Sequence, residues 1–241
     1  MTPAPPRPPV PVRNLDLRSS QARILVVLLR EAGVDPSWLV AYGANPRAKY
    51  DAAESIGIPV GIWKSCLYAV LMGARTPALA RAGRSKGEAV EAIRGAVGPD
   101  EFAATYARFL RYTTGLRAGL AEWHAWLVDV WVPENARLNN VDRKRYVTNE
   151  VGTKVAVEDL AEPGRPWKLK SRLAAFLLQG REAALMHRLA ASAEEYGFRV
   201  LSLEHDGLVV AGDVPPEAVE AAARAARIPM DLVSLEEKPF V

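Results

Sequence analysis

The stretch "FRVLSLEHDGLVVAG", Phe198–Gly212, decides how the second half of the chain folds. Its apolar residues form two short runs, and the Asp206-Gly207 pair between them is a strong signal for a tight turn. The stretch therefore predicts two antiparallel strands joined at that turn. Because most such turns carry no chemistry, a plain turn is one interpretation. The alternative is that His205 and Asp206 belong to a functional site.

A second aspartate at a strand end lies near the N-terminus. The segment "VRNLDL", Val12–Leu17, predicts a strand, and a helix is expected over Gln21–Gly33, so Asp16 lies where the strand gives way to the helix. The other predicted elements are helices from Asp35 to about Pro133, among them Val60–Ala74, a hairpin within Arg145–Leu160, a helix over about Lys170–Tyr196, a helix from Pro215 and a strand near Met230–Leu235. This order predicts an α+β fold, with an antiparallel sheet backed by helices and a helical insertion.

The composition limits the classes of protein to consider. With 241 residues, of which 49% are hydrophobic, the chain can bury a sizeable core. A single cysteine, Cys66, and three scattered histidines exclude a disulfide framework and a Cys/His zinc site. The net charge of +3 permits nucleic acid as a partner without requiring it. The single cysteine fits a reducing, intracellular setting, so we expect a cytoplasmic protein, and since no segment approaches a membrane span we expect no membrane partner.

Asp16 and Asp206 can converge if their strands are neighbours in one sheet. Two carboxylates at close range disfavour each other's ionised forms unless a cation separates them. Hard oxygen ligands at strand ends suit Mg²⁺, and two such ions can clamp the attacking and leaving oxygens of a phosphoryl transfer. The pair therefore predicts a divalent metal site.

The segment Val60–Ala74 has a face suited to a nucleotide. Lys64, Tyr68 and Met72 are spaced four residues apart and share one side of the predicted helix, with Gly73 beside them. Lys64 near the helix N-terminus favours phosphate, and Tyr68 offers a flat surface for a base or sugar. Ordinary core packing with a lysine reaching to solvent is the alternative.

Four segments together resemble family A DNA polymerases. "LDLRSSQARIL" resembles motif A, with Asp16 and Arg23 at the family's spacing; "KSCLYAVLMGA" resembles motif B, through Lys64, Tyr68 and Gly73. "LEHDGLVV" is similar to motif C, and "LLQGREAALMHRLA" to the helix before it, where Gln179 falls on a family glutamine. The motifs occur in the family's order from about Val12 to the end of the chain.

The resemblance implies specific roles for these residues. Asp16 and Asp206 would hold two Mg²⁺ or Mn²⁺ ions together with the carbonyl of Leu17, and Lys64 would neutralise the triphosphate. The expected nucleotide-binding residues are Leu17, Gln21, Lys64, Tyr68, Met72 and Gly73, and the expected primer and template contacts are Gln179, His205 and Arg172. The implied enzyme is a DNA-directed DNA polymerase of palm and fingers only, without thumb or exonuclease domains, and of bacterial or phage origin.

The same resemblance implies the domain organisation and the partners. A Pro-rich tail over residues 1–11, with six prolines in the first 12 residues, would precede a palm segment, 12–33, helical fingers, 34–135, and the rest of the palm, 136–241. The expected partners are a DNA primer-template and dNTPs, with NTPs as the alternative. Because little precedes motif A, a second chain that supplies a thumb or clamp is a further expected partner.

The sequence departs from the family pattern at four positions. Gln21 replaces a glutamate, Val60 an arginine, Met72 a tyrosine and Gly207 the glutamate of motif C. The changes at Gln21 and Met72 affect the side chains that would discriminate between deoxyribose and ribose. Two further hypotheses therefore stay open: a primase or RNA-synthesising variant of the same fold, and a non-catalytic nucleic-acid-binding or helical interaction protein in which the aspartates are turn residues.

Overall fold

The computed structural model describes residues 10–165, 167–204 and 207–240, and of Trp167 only the backbone. The chain divides into two compact units, which are described separately. The first comprises the described parts of Met1–Ser20 and Arg181–Val241, and the second is Gln21–Gly180. The predicted palm and fingers boundaries stay a prediction.

The helices and strands follow in chain order. The strands are β1 Val12–Leu17, β2 Arg137–Leu138, β3 Arg145–Thr148, β4 Lys154–Ala156, β5 Arg199–Leu203, β6 Gly207–Ala211 and β7 Leu235–Lys238. The α-helices are α1 Ser20–Glu31, α2 Ser37–Ala44, α3 Ala48–Ile56, α4 Val60–Leu71, α5 Leu79–Ala82, α6 Glu88–Tyr112, α7 Thr114–Trp126, α8 Val132–Asn135, α9 Val157–Leu160, α10 Trp167–Ala191 and α11 Pro216–Ala225. A π-helical turn, Leu127–Trp131, joins α7 to α8, and Met230–Leu232 is a 3₁₀ turn.

The first unit is built on a four-stranded antiparallel sheet in the order β5-β6-β1-β7. The residues of β1 alternate between its two faces, as strand geometry requires. Leu15 and Leu17 are buried on one face, together with Leu208 and Val210 of β6, and these side chains contribute to the core. The predicted α+β fold with an antiparallel sheet is confirmed, as are β1 and the hairpin formed by β5 and β6.

The last strand lies later in the chain than the sequence predicted. Met230–Leu232, expected to start the strand, forms a 3₁₀ turn after Pro229, and the strand is Leu235–Lys238. Apolar residues at 230–235 favoured the earlier position. However, β7 pairs with β1 through the backbone at the edge of the sheet, where charged side chains are well tolerated.

The second unit is mainly helical, as expected for the region after Asp35. Its core contains the fully buried side chains of Trp63, Tyr106, Phe109 and Trp123. α6 is interrupted at Gly98, which has a φ of 75° and is followed by Pro99, and neither residue suits a helix interior.

The second unit also contains a small sheet, in the order β2-β3-β4. The predicted hairpin within Arg145–Leu160 is formed by β3 and β4, but its last four residues form the short helix α9 instead. Glu158 and Asp159 on α9 pair with Arg145 and Lys144, and these ion pairs hold α9 against the sheet.

None of the helices in the described part of the chain is long and apolar enough to cross a membrane.

Candidate active site

Asp16 is a largely buried carboxylate at the end of β1. It is 9% exposed, and its strand neighbours are Gly207 on β6 and Glu236 on β7. Asp16 shares one face of the sheet with Asn14, opposite the face that carries Leu15. A carboxylate with so little contact with water needs a compensating partner.

Lys238 provides that partner. Its Nζ pairs with Oδ2 of Asp16. Lys238 lies opposite Asn14 in the register of β1 and β7, so the pair is a diagonal contact between adjacent strands on one face. The side chain of Lys238 is 52% exposed, whereas that of Asp16 is 12% exposed. Lys238 has no signal in the sequence as a site residue, because the segment that contains it does not have the pattern of a strand.

A second ion pair lies beside the first on the same face. Glu236 is directly opposite Asp16, and its Oε1 lies 3.0 Å from Nε of Arg18. The backbone N–H of Arg18 donates to the carbonyl of Ser234 at 2.9 Å, which extends the contact between the two chain segments beyond the strands. Asn14, Asp16, Arg18, Glu236 and Lys238 are called the carboxylate face below. Its two acids are adjacent, and each is neutralised by its own cation.

Gly207 leaves no room for a side chain. A Cβ built on this glycine would lie 2.7 Å from the carbonyl oxygen of Leu15 and 3.6 Å from Oδ1 of Asp16. The first distance is too short for a real contact, and the obstructing atom is backbone. β1 and β6 therefore approach too closely for any residue larger than glycine at this position, which gives a steric reason for the difference from the motif C that the segment resembles.

His205 and Asp206 lie outside the described residues. The predicted approach of Asp16 and Asp206 across adjacent strands therefore stays a prediction, as does the role of His205. Among residues 10–165, 167–204 and 207–240, no group of three or more His, Cys, Asp or Glu side chains is arranged to hold a metal ion.

In the second unit, α4 exposes the face that the sequence singled out. Lys64 is exposed and Tyr68 is 44% exposed, whereas Trp63 and Cys66, on the other side of the helix, are fully buried. Burial raises the pKa of the Cys66 thiol to about 12. Tyr68 is therefore a large aromatic side chain at the surface, whereas the opposite side of the helix packs in the core.

Gly73 ends this helix and packs closely against α10. Its φ of 80° lies in the left-handed region, and its N–H donates to the carbonyl of Val70 at 3.0 Å. A Cβ at Gly73 would lie 2.7 Å from Cβ of Ser171 and 3.3 Å from Cε1 of His124. The glycine thus has a structural reason independent of any ligand, and its predicted contact with a nucleotide stays a prediction.

His124 is held as a neutral imidazole by its surroundings. Burial, with a smaller contribution from the charge of Lys170, lowers its pKa to about 4. Its Nε2 is buried and has no hydrogen-bond partner within the described part of the chain.

Three other predicted residues lie in different settings. Gln21 is half-buried, and its Oε1 is buried with no hydrogen-bond donor among the described residues. Gln179 is exposed. Nη1 of Arg172 donates to the carbonyl of Leu160 at 3.1 Å, and its Nη2 lies 3.6 Å from Oε2 of Glu162. Arg172 therefore stabilises the connection between α9 and α10. The predicted roles of all three stay predictions.

Comparisons with known proteins give a likeness of fold only. No protein-family model matches the chain, and no curated protein matches it. Among solved structures, it is similar to the POL domain of Pol1 from M. smegmatis, solved in complex with DNA primer-template and dNTP, with a TM-score of 0.56 and 14% identity. The match covers 95% of this chain and 40% of that chain, so this chain spans less than half of the neighbour's length. The chain therefore has an α+β fold like that of a polymerase domain.

Proposed function

We propose that this protein is a template-directed nucleotidyltransferase, a minimal DNA polymerase of the family A type. The observation that carries the proposal is Asp16, a largely buried carboxylate at a strand end, in register with the first residue of the β6 strand that follows Asp206. A buried acid at that point has little value for stability, since burying a charge is costly even when it is paired. Its position in a fold like that of a polymerase domain supports a role in chemistry.

The residues at this end of β1 fit a divalent cation. Asp16 supplies carboxylate oxygens and Leu17 a backbone carbonyl, and hard oxygen donors of this kind suit Mg²⁺ or Mn²⁺. Because Asp206 directly precedes Gly207 in the sequence, we propose that it contributes the second carboxylate. When bound, two such ions would lower the pKa of the attacking hydroxyl and stabilise the charge that develops on the phosphate oxygens. Asp16 and Asp206 would fix the positions of these charges.

The exposed face of α4 is proposed to bind the nucleotide. Lys64 can approach phosphate oxygens from the first part of the helix, where the N-terminal dipole also favours anions. Tyr68 presents its ring to solvent and can stack on a base or sugar. In this proposal Met72, Gly73 and Gln21 line the sugar side of the same nucleotide. Lys64 acts through charge and hydrogen bonds to phosphate, which is the main contribution a protein makes to phosphoryl transfer.

Nucleic acid is the proposed second substrate. The M. smegmatis structure contains primer-template DNA and a dNTP, and we extend both ligand classes to this chain as a proposal. Gln179, Arg172 and His205 would contact primer and template. A second chain that supplies a thumb or clamp is a further partner in this proposal.

A primer-extension assay tests the proposal. Asp16→Asn and Asp206→Asn should each abolish nucleotide addition on a primed template with Mg²⁺, because each substitution removes a charge that the cation needs. Asp213→Asn is the matched control: Asp213 lies in the same unit, is 75% exposed and pairs with Arg13, so its loss should leave addition unchanged. Synthesis by all three variants at the wild-type rate would exclude the proposed site.

A primase or RNA-synthesising activity is the second candidate. It is favoured by Gln21, which stands where family A polymerases have the glutamate that helps them to discriminate between sugars. Oε1 of Gln21 is buried and has no hydrogen-bond donor among the described residues. Supplying NTPs in place of dNTPs, with and without primer, separates the two activities. Nucleic-acid binding without addition under any of these conditions would favour the non-catalytic hypothesis.

A further inference from the structure

Lys238 pairs with the carboxylate that the proposed metal site would use. The carboxylate of Asp16 pairs through Oδ2 with Nζ of Lys238. A carboxylate oxygen that accepts from an ammonium group is less available to a divalent cation, because both ligands use the same lone pairs.

The placement of Lys238 follows from the register of the sheet. β7 pairs with β1 so that Lys238 lies opposite Asn14, two residues before Asp16 on the same face. Glu236 lies nearer to Asp16 along β7, but it is an acid and is paired with Arg18. Lys238 is therefore the residue of β7 that neutralises Asp16.

We propose that Lys238 is a resident counter-ion that competes with the divalent cation for Asp16 and so sets the affinity of the site for metal. The inference rests on the proposed function, since it assumes that Asp16 binds metal. Lys238 stabilises the metal-free sheet by neutralising Asp16, and its half-exposed side chain can turn to solvent when a metal takes its place. The carboxylate of Asp16 then exchanges one cation for another, so it is paired both with and without bound metal.

Direct binding of Mn²⁺ tests the competition without relying on activity. Free Mn²⁺ is followed by electron paramagnetic resonance during titration of the wild type, Lys238→Met, Lys238→Arg and Asp16→Asn. Lys238→Met should bind Mn²⁺ about two- to fivefold more tightly, the range expected for loss of one partly exposed ion pair. Lys238→Arg should stay close to wild type, because it retains a cation, and Asp16→Asn should lose the site.

A matched control separates a local effect from a change in net charge. Arg13→Met removes one positive charge from β1 on the opposite face, where Arg13 pairs with Asp213 and Glu237. It should leave Mn²⁺ affinity unchanged. A similar gain for Arg13→Met would show that overall charge controls the affinity, and would overturn the proposal.

Thermal unfolding distinguishes competition from a purely structural role. Without metal, Lys238→Met should unfold at a lower temperature than wild type, because Asp16 is left buried without a partner, and saturating Mn²⁺ should restore most of the loss. Equal Mn²⁺ affinity in wild type and Lys238→Met would overturn the counter-ion inference and leave the proposed function standing. No Mn²⁺ binding by either protein would instead contradict the proposed function itself.

Discussion

Placing a glutamate at Gly207, as in the motif C that this segment resembles, should damage the protein. A Cβ at this position would lie 2.7 Å from the Leu15 carbonyl oxygen, and Cβ atoms in real structures stay at least 3.0 Å from such atoms. Because the obstructing atom is backbone, β6 must move away from β1 by a few tenths of an ångström in Gly207→Ala. Such overpacking typically costs about 1–3 kcal/mol of unfolding free energy, which is about 2–12 °C in Tm for a chain of this size.

Gly207→Glu should be at least as destabilising as Gly207→Ala. The same Cβ conflict applies, and the start of the new side chain would lie 3.6 Å from Oδ1 of Asp16, which adds a further acid beside Asp16. We therefore expect the glutamate variant to lose both stability and nucleotide addition, although it is closer to the family sequence.

Urea unfolding of the wild type and these two variants measures the effect. Gly95→Ala is the matched control, because Gly95 lies in α6 and a Cβ there meets nothing within 4 Å. Glycine destabilises a helix relative to alanine, because it loses more backbone entropy on folding. Gly95→Ala should therefore be as stable as wild type or about 0.5–1 kcal/mol more stable. An unfolding free energy for Gly207→Ala within about 0.5 kcal/mol of wild type would refute the steric argument, since surface substitutions without strain fall within that range.

The remaining predictions concern Gly73 at the end of α4, the pKa of His124, and the proposed role of Gln21 and Met72 in discriminating between dNTPs and NTPs. Gly73→Ala should lower the unfolding free energy by about 2–4 kcal/mol in urea, since φ is 80° and a Cβ would lie 2.7 Å from Ser171; a loss below about 1 kcal/mol would contradict this. Burial lowers the pKa of His124 to about 4 in the folded state, whereas the pKa of a histidine in the unfolded state is about 6.5. Between these two pH values the unfolded state binds more protons than the folded state. The free energy of unfolding should therefore fall by at most about 3 kcal/mol as the pH drops from 6.5 to 4. Urea unfolding across that range should show a smaller fall in His124→Gln, and an identical fall would assign it to other groups. Gln21→Glu combined with Met72→Tyr should raise the dNTP over NTP ratio of single-nucleotide incorporation, because it restores a charged acceptor and a hydroxyl donor; an unchanged ratio would exclude a role for these residues in sugar discrimination.

Much of the fold could be predicted because its elements carry strong local signals. The strand Val12–Leu17 and the hairpin on either side of Asp206-Gly207 combine apolar runs with turn residues, and both strands of the hairpin are confirmed. The start of α4 at Val60 is equally local, because Pro59 precedes it.

The parts that could not be predicted depend on pairing between distant segments. β7 has the sequence Leu-Glu-Glu-Lys, which lacks the pattern of a buried strand, and it is a strand because β1 offers a free edge. The partnership of Lys238 with Asp16 follows from that pairing and has no signal in the sequence. Likewise, Gly207 looked like an ordinary turn glycine, and only the distance between β1 and β6 shows that a side chain is excluded there.

The charged residues of β7 have a further consequence for the solubility of the protein. Both outer strands of the four-stranded sheet, β5 and β7, have one side without a neighbouring strand in the described part of the chain. An open edge of this kind can recruit a strand from another molecule and start aggregation. On β7, Glu236, Glu237 and Lys238 place charges along the edge, and on β5 the irregular pairing between Val200 and Ser202 interrupts it. The sheet is thus protected from intermolecular pairing by charge on one side and by a distorted backbone on the other.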